Sequence, residues 1–81
     1  MDKYIVIGKD GCPYCVKSKE LLDAAEEPYD YIDKGELNSG DVAKLELVAG
    51  QEFFTVPQIF KLVEDKLEYV GGYSELIKDL I

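Results

Sequence analysis

The sequence predicts a single α/β domain, residues 1–81, with one mixed four-stranded sheet and helices packed on it, in the order β-α-β-α-β-β-α. The chain opens with a strand, a helix and a second strand, which favours a parallel pair joined by a right-handed crossover. Two later strands are separated only by the polar turn Glu64-Asp65, which indicates a hairpin. No internal repeat or linker divides the chain, so one domain accounts for all of it.

The first strand, first helix and second strand follow one another closely. A β-branched apolar run from Tyr4 to Ile7, ended by Gly8, is typical of a buried strand. Residues Pro13 to Ala25 have helical periodicity, and proline suits the first helical position because its missing N–H costs nothing there. Tyr29 to Ile32 is rich in strand-forming residues. The predicted buried face of the first helix is Cys15, Ser18, Leu22 and Ala25.

A second helix is predicted between a capping residue and a glycine. Asn38 and Ser39 are N-cap candidates, and Asp41 places negative charge near the positive end of the helix. Gly50 is expected to end the helix. The predicted apolar side of this helix is Val42, Leu45, Val48 and Ala49.

The last part of the chain predicts a hairpin followed by a helix. Val56 to Val63 forms the third strand, interrupted early by Pro57, and Lys66 to Val70 forms the fourth. Gly71-Gly72 ends the hairpin, and Ser74 is expected to cap the final helix. The inward residues of that helix are predicted to be Leu76, Ile77 and Leu80.

Composition excludes several classes of function. Nine Lys against seventeen Asp and Glu leave a net charge of -8, which argues against nucleic-acid binding. The chain has no His, so Ser-His and Cys-His pairs and His metal ligands are excluded. The apolar run after Met1-Asp2-Lys3 is too short for a signal-peptide core or a membrane span. We therefore expect a cytoplasmic monomer with neither a membrane nor a nucleic acid as partner.

The pair Cys12 and Cys15 carries the predicted chemistry. Cys12 precedes Pro13 and so falls at the N-cap of the first helix, where its sulfur can accept backbone N–H groups and meet the positive end of the helix dipole. Both effects favour the thiolate, so the pKa of Cys12 is expected below the free value of about 8.5. Lys9 and Lys17 add positive charge nearby, and Asp10 opposes it.

Cys15 follows one helical turn later, nearer the apolar face. This spacing predicts a two-step reaction in which Cys12 attacks a substrate disulfide and Cys15 resolves the mixed disulfide. Two other interpretations stay open. The pair could be half of a zinc or iron–sulfur site shared between two chains, because zinc needs four ligands and this chain has two cysteines. The pair could also be inert core cysteines.

Three ordered segments resemble motifs of the glutaredoxin family, specifically its compact bacterial and phage-type dithiol members. They are Cys12-Pro13-Tyr14-Cys15, Thr55-Val56-Pro57, and the segment Gly71-Gly72-Tyr73-Ser74-Glu75-Leu76, with Lys9 at a basic position. The resemblance implies a thioredoxin-like fold with no bound cofactor and glutathione as co-substrate. It implies glutathione-dependent reduction of protein disulfides and glutathione mixed disulfides, with ribonucleotide reductase as a candidate partner.

The resemblance also implies a glutathione site. Pro57 would be cis and leave the Val56 backbone to pair with the cysteine of glutathione. Tyr73 and Ser74 would bind the γ-glutamyl carboxylate at a helix N-terminus, with Glu75 as one option for the ammonium group. The full implied set is Lys9, Tyr14, Thr55, Val56, Pro57, Gly72, Tyr73, Ser74 and Glu75, with Lys44 a candidate for the glycine carboxylate and Pro13 and Lys17 as active-site support.

Two alternative functions remain from the sequence. The chain could be a redoxin reduced by a flavoprotein thioredoxin-type reductase, or a carrier of an iron–sulfur cluster held by two chains and glutathione.

Glutathione is anionic and the protein is acidic overall, so long-range electrostatic attraction does not bring them together. Charges more than about 8 Å apart are largely screened at physiological salt, so any attraction must come from positive groups close to the site. We therefore expect a small basic island around Cys12 on an acidic body.

Overall fold

A computed structural model of the chain describes residues 2–52 and 55–81, and these form four strands and three α-helices. A short 3-10 turn, Lys34–Glu36, precedes the second helix. The elements are β1 (Lys3–Gly8), α1 (Pro13–Ala24), β2 (Tyr29–Asp33), α2 (Ser39–Ala49), β3 (Gln58–Val63), β4 (Lys66–Gly71) and α3 (Tyr73–Leu80). The predicted element order is confirmed.

The sheet is mixed, with strand order β2-β1-β3-β4. β1 pairs in parallel with β2, while the β1–β3 and β3–β4 pairs are antiparallel. Ile7 at the end of β1 lies opposite Gln58 at the start of β3. This register brings the turn after β1, which carries Cys12, beside the Pro57 segment that leads into β3.

The two faces of the sheet bury separate apolar clusters. Since side chains alternate along a strand, Tyr4 and Val6 of β1 point to the face covered by α1 and α3. Ile7 and Phe60 point to the opposite face, against which α2 packs. The first cluster consists of Tyr4, Val6, Leu22, Ile59 and Leu76, each at most 2% exposed.

Two predicted inward residues lie instead on the flanks of their helices. Val48 is 42% exposed, because α2 contacts the sheet side through Val42 and Leu45 and Val48 is rotated away from them. Ile77 is 37% exposed. It follows the buried Leu76 by one position, and one residue is about 100° around a helix.

Several predicted boundaries are also wrong. β1 extends one residue further at both ends, and β2 and β4 each end one residue later than expected. Ala25 is exposed and forms the C-cap of α1, because the helix ends at Ala24 and helical periodicity no longer applies. β3 begins at Gln58 rather than Val56. Gly72, and not Ser74, is the N-cap of α3. Asn38 as the N-cap of α2 and Gly50 as its left-handed C-cap are confirmed.

The amino-terminal strand is tied to the last helix by a polar contact. The hydroxyl of Tyr4, a residue only 2% exposed, donates a hydrogen bond to Asp79. Burial, and then the Asp79 carboxylate, raise the pKa of Tyr4. Lys61 Nζ lies 3.5 Å from the same carboxylate. Across residues 2–52 and 55–81, no helix has the length and apolar character needed to cross a bilayer.

Candidate functional site

Cys12 occupies the N-cap of α1, as its place before Pro13 predicts. Its backbone is extended, and its Sγ accepts a hydrogen bond from the Cys15 amide at 3.2 Å. Gly11 adopts a φ of 78°, a left-handed conformation that glycine reaches without strain, and so turns the chain into the helix. Cys12 is 8% exposed. The first helical turn therefore presents a capped sulfur at the surface end of β1.

Cys15 lies one turn further and forms a disulfide with Cys12, their Cα atoms 5.2 Å apart. Cys15 is only 1% exposed and lies on the same buried helix face as Ser18 and Leu22. The two sulfurs therefore differ in access. Cys12 is the more accessible of the two, as its predicted role of attacking a substrate disulfide requires, and the division of roles between Cys12 and Cys15 stays a prediction.

The segment that precedes β3 faces the Cys12 sulfur. The Val56–Pro57 peptide bond is cis, and the Val56 carbonyl oxygen lies 3.7 Å from Cys12 Sγ. Hydrogen bonds of the Gln58 side chain tie this segment to strand β4. Gln58 Nε2 donates to the Thr55 carbonyl at 2.9 Å, and Gln58 Oε1 accepts from the Tyr69 hydroxyl at 2.6 Å. Sequence reasoning missed this role of Gln58, and its only signal was a polar residue opening an apolar strand.

The N-terminus of α3 forms the second wall of the site. The Gly72 amide donates to Glu75 Oε1 at 2.8 Å, so the helix is capped by its own third residue and needs no serine cap. Gly71 has a φ of 127°, and a Cβ there would come within 2.6 Å of Glu75 Cγ. Only glycine permits this close approach.

A cleft of about 260 Å³ opens between these elements. The rings of Tyr14 and Tyr73 flank it, with centroids 5.7 Å apart. The lining residues are Tyr14, Thr55, Val56, Pro57, Gly72, Tyr73, Ser74 and Glu75. All eight belong to the glutathione set that the resemblance implies, and their part in binding stays a prediction.

The predicted lysines lie outside this lining. Lys17 Nζ lies 5.0 Å from the centroid of the Tyr14 ring, which places its charge at the rim of the cleft. Lys9 is exposed in the turn between β1 and α1. Lys44 is exposed on α2, the helix that packs on the opposite face of the sheet. In the described part of the chain, no three side chains of the types that ligate metals (His, Cys, Asp or Glu) lie close enough together to hold a metal ion.

Comparison with known proteins agrees with this geometry. The sequence profile of the family described as glutaredoxin matches residues 5–67. Glutaredoxin 1 of Escherichia coli K12 is 33% identical over 78 residues, which cover 88% of this chain and 84% of that protein. Its reduced solution structure superposes with a TM-score of 0.72 at 31% identity, over 96% of this chain and 92% of the other.

A buckwheat glutaredoxin solved as a glutathione complex has a TM-score of 0.70 and 28% identity, over 96% of this chain and 67% of that one. The thioredoxin-like fold is thus shared with two glutaredoxin structures whose sequences are 28% and 31% identical to this chain. With the family profile spanning most of the chain, and with Cys12 and Cys15 as its redox-active dithiol, this protein belongs to the glutaredoxin family.

Proposed function

We propose that this glutaredoxin-family oxidoreductase uses glutathione to reduce protein disulfides and glutathione mixed disulfides in a reducing cytoplasm. The observation that carries the proposal is the position of the N-cap sulfur of Cys12. It lies 3.7 Å from the Val56 carbonyl, at a cleft with a helix N-terminus on its other wall. Cys12 is not itself a lining residue of the cleft, but its sulfur lies next to Val56, which is. We expect a thiol ligand to extend from the helix N-terminus along the cleft towards this sulfur.

The reaction follows from the unequal access of the two sulfurs. The Cys12 thiolate attacks a substrate disulfide, forms a mixed disulfide and releases one thiolate of the substrate. Cys15 then attacks Cys12 Sγ, the bond to the substrate breaks, and the second substrate thiolate leaves and takes a proton from water. Two molecules of glutathione restore the dithiol. The first forms a mixed disulfide with Cys12, and the second removes it as glutathione disulfide.

The cleft has groups that match the parts of an extended tripeptide. Val56 lines the cleft just before β3, and we expect its backbone to pair with the cysteine unit as a further strand would. The first turn of α3 offers free N–H groups to a carboxylate, and Ser74 lies in that turn. The carboxylate of Glu75 already accepts the Gly72 amide, and a carboxylate has capacity for a further donor such as an ammonium group.

Glutathione-coupled turnover tests the proposal directly. Purified protein, glutathione, glutathione reductase and a glutathione mixed disulfide should give steady consumption of the reductase's nicotinamide cofactor. Activity only with a flavoprotein thioredoxin-type reductase would keep the dithiol chemistry and overturn the glutathione site. Inactivity with both systems, together with visible absorbance from a bound cluster, would favour the cluster-carrier alternative.

Neutralising the lysines beside the active site should weaken glutathione binding. Lys9→Gln/Lys17→Gln removes two exposed charges near Cys12, one of them at the cleft rim. Exposed charge pairs each contribute at most about 1 kcal/mol, so we expect KM for glutathione to rise about threefold with kcat little changed. Steady-state kinetics at low and high salt measure this, because screening should shrink the effect.

A matched control carries the same change of net charge elsewhere. Lys66 begins β4 and Lys78 lies in the last turn of α3. Lys66→Gln/Lys78→Gln should leave KM unchanged. An equal rise in both double variants would mean that total charge governs binding and that no basic island exists.

A further inference from the structure

Three residues that the proposed glutathione site does not use meet behind the disulfide. Gly8 ends β1, and Tyr31 lies on β2, the parallel neighbour of β1. A Cβ on Gly8 would come 2.6 Å from the Tyr31 hydroxyl oxygen and 2.8 Å from Cys15 Sγ. The Tyr31 hydroxyl and the Cys15 sulfur therefore border the same small space, the one that a side chain at Gly8 would fill.

Burial makes ionisation of the Cys15 thiol unfavourable, and a hydrogen-bond donor beside the sulfur can reduce that cost. Cys15 must be a thiolate to attack, yet it is 1% exposed, and burial disfavours the charged form. A hydrogen bond donated to the charged form favours it again. A tyrosine hydroxyl is such a donor.

We propose that the Tyr31 hydroxyl donates a hydrogen bond to the Cys15 thiolate when the disulfide is open, and is a catalytic residue of the resolving step. In that step Cys15 S⁻ bonds to Cys12 Sγ as the bond from Cys12 to the substrate sulfur breaks. The electron pair leaves with the substrate thiolate, which takes a proton from water, and Tyr31 keeps its own proton throughout. The proposal needs only thiol–disulfide exchange and does not depend on glutathione.

Burial and two nearby carboxylates keep the Tyr31 hydroxyl protonated. Burial, followed by the carboxylates of Asp33 and Asp10, raises the pKa of Tyr31. Lys19 of α1 lies over the ring, with Nζ 4.1 Å from its centroid, and its positive charge acts in the opposite direction. These groups come from β2 itself, from the turn after β1 and from α1. The hydroxyl is therefore a hydrogen-bond donor at neutral pH.

The expected size of the effect follows from the chemistry of thiolates. A donor that raises the thiolate fraction of Cys15 about tenfold also lowers the intrinsic nucleophilicity of that thiolate about threefold, because reactivity falls as pKa falls. The net gain in reaction rate at neutral pH is then about threefold. Losing the hydroxyl should cost the same factor.

Alkylation of Cys15 isolates this step from every substrate. In a Cys12→Ser background, iodoacetamide trapping is followed from neutral to alkaline pH with Tyr31→Phe and, as matched control, Tyr29→Phe. Tyr29 lies two residues away on the same strand, and burial and then the nearby Asp23 carboxylate raise the pKa of its hydroxyl. We expect Tyr31→Phe to raise the pKa of the Cys15 thiol and to slow its trapping about threefold at neutral pH. Tyr29→Phe should do neither.

Equal pH titration curves of the Cys15 thiol in Cys12→Ser, Cys12→Ser/Tyr31→Phe and Cys12→Ser/Tyr29→Phe would overturn the proposal. Tyr31 would then be a packing residue only. A second measurement uses the fully reduced chain without substitutions. The Tyr31 ¹³Cζ resonance should shift at the pH at which Cys15 titrates, and a flat response there would count equally against the hydrogen bond. Because neither experiment contains glutathione, a failure of the glutathione site would leave both results interpretable.

Discussion

A Cys12→Ser variant should lose disulfide reductase activity altogether, by about three orders of magnitude or more, as expected when a nucleophile is removed. Serine reacts at neutral pH only with a general base beside it, and the chain contains no histidine. The capping position of Cys12 favours a thiolate, but the same contacts cannot ionise an alcohol. The coupled assay with glutathione reductase measures the loss.

Cys15→Ser should separate two kinds of substrate. A glutathione mixed disulfide needs one protein thiol, because a second glutathione can release the first from Cys12. Release of a protein joined to Cys12 is expected to need Cys15, which lies one turn behind. We therefore expect Cys15→Ser to retain turnover of glutathione mixed disulfides and to stall on protein disulfides as a trapped covalent complex.

The two cysteine variants control for each other, since each removes one sulfur and the disulfide. Thermal unfolding of both under reducing conditions should match that of the reduced unsubstituted chain. If Cys15→Ser were inactive and Cys12→Ser active, the assignment of roles would be reversed. Loss of both activities in Cys15→Ser would make the dithiol obligatory for every substrate.

Much of this site could be predicted because its determinants are local in sequence. The spacing of Cys12 and Cys15 around Pro13 at a helix start predicts one sulfur at the helix N-cap and a more deeply buried one a turn later, and the two residues are 8% and 1% exposed. Gly50 ends α2 as expected, because glycine adopts the left-handed C-cap conformation easily whatever its tertiary surroundings. These predictions needed no knowledge of how distant segments pack.

The parts that escaped prediction depend on contacts between distant segments. Gln58 is a polar residue in an apolar strand, and only the sheet shows that Tyr69 and Thr55 lie within hydrogen-bond reach of it. The approach of Tyr31 to Cys15 depends on the parallel register of β1 and β2. Val48 lies on the flank of α2, whose partly buried, sheet-facing stripe of Val42, Leu45 and Ala49 is narrower than periodicity alone suggests.

Leu76→Ala should be among the most destabilising single substitutions in this protein. Leu76 is 0% exposed and packs in the cluster between the sheet, α1 and α3. Truncating a buried leucine to alanine costs about 2–5 kcal/mol, through lost apolar burial and the cavity left behind. For a chain of this size, that loss lowers Tm by roughly 8–40 °C.

Leu47→Ala is the matched control, because it makes the same chemical change in a helix side chain that is 83% exposed. Its effect should stay within about 0.5 kcal/mol, as is usual for surface positions. Denaturant unfolding of both variants and of the reduced parent chain gives the two differences. Similar losses at the two positions would contradict the packing of α3 against the sheet.

Leu76→Ala should also change function before the domain unfolds, because the anchor and the cleft belong to the same short helix. Gly72 to Glu75 line the cleft and precede Leu76 directly. With that anchor lost, the first turn of α3 should open locally, and regions of low local stability open at less than the global free energy. We expect KM for glutathione to rise well below Tm while alkylation of Cys12 stays unchanged, since Cys12 is held by α1. A parallel loss of Cys12 reactivity would show instead that the whole domain loosens as one unit.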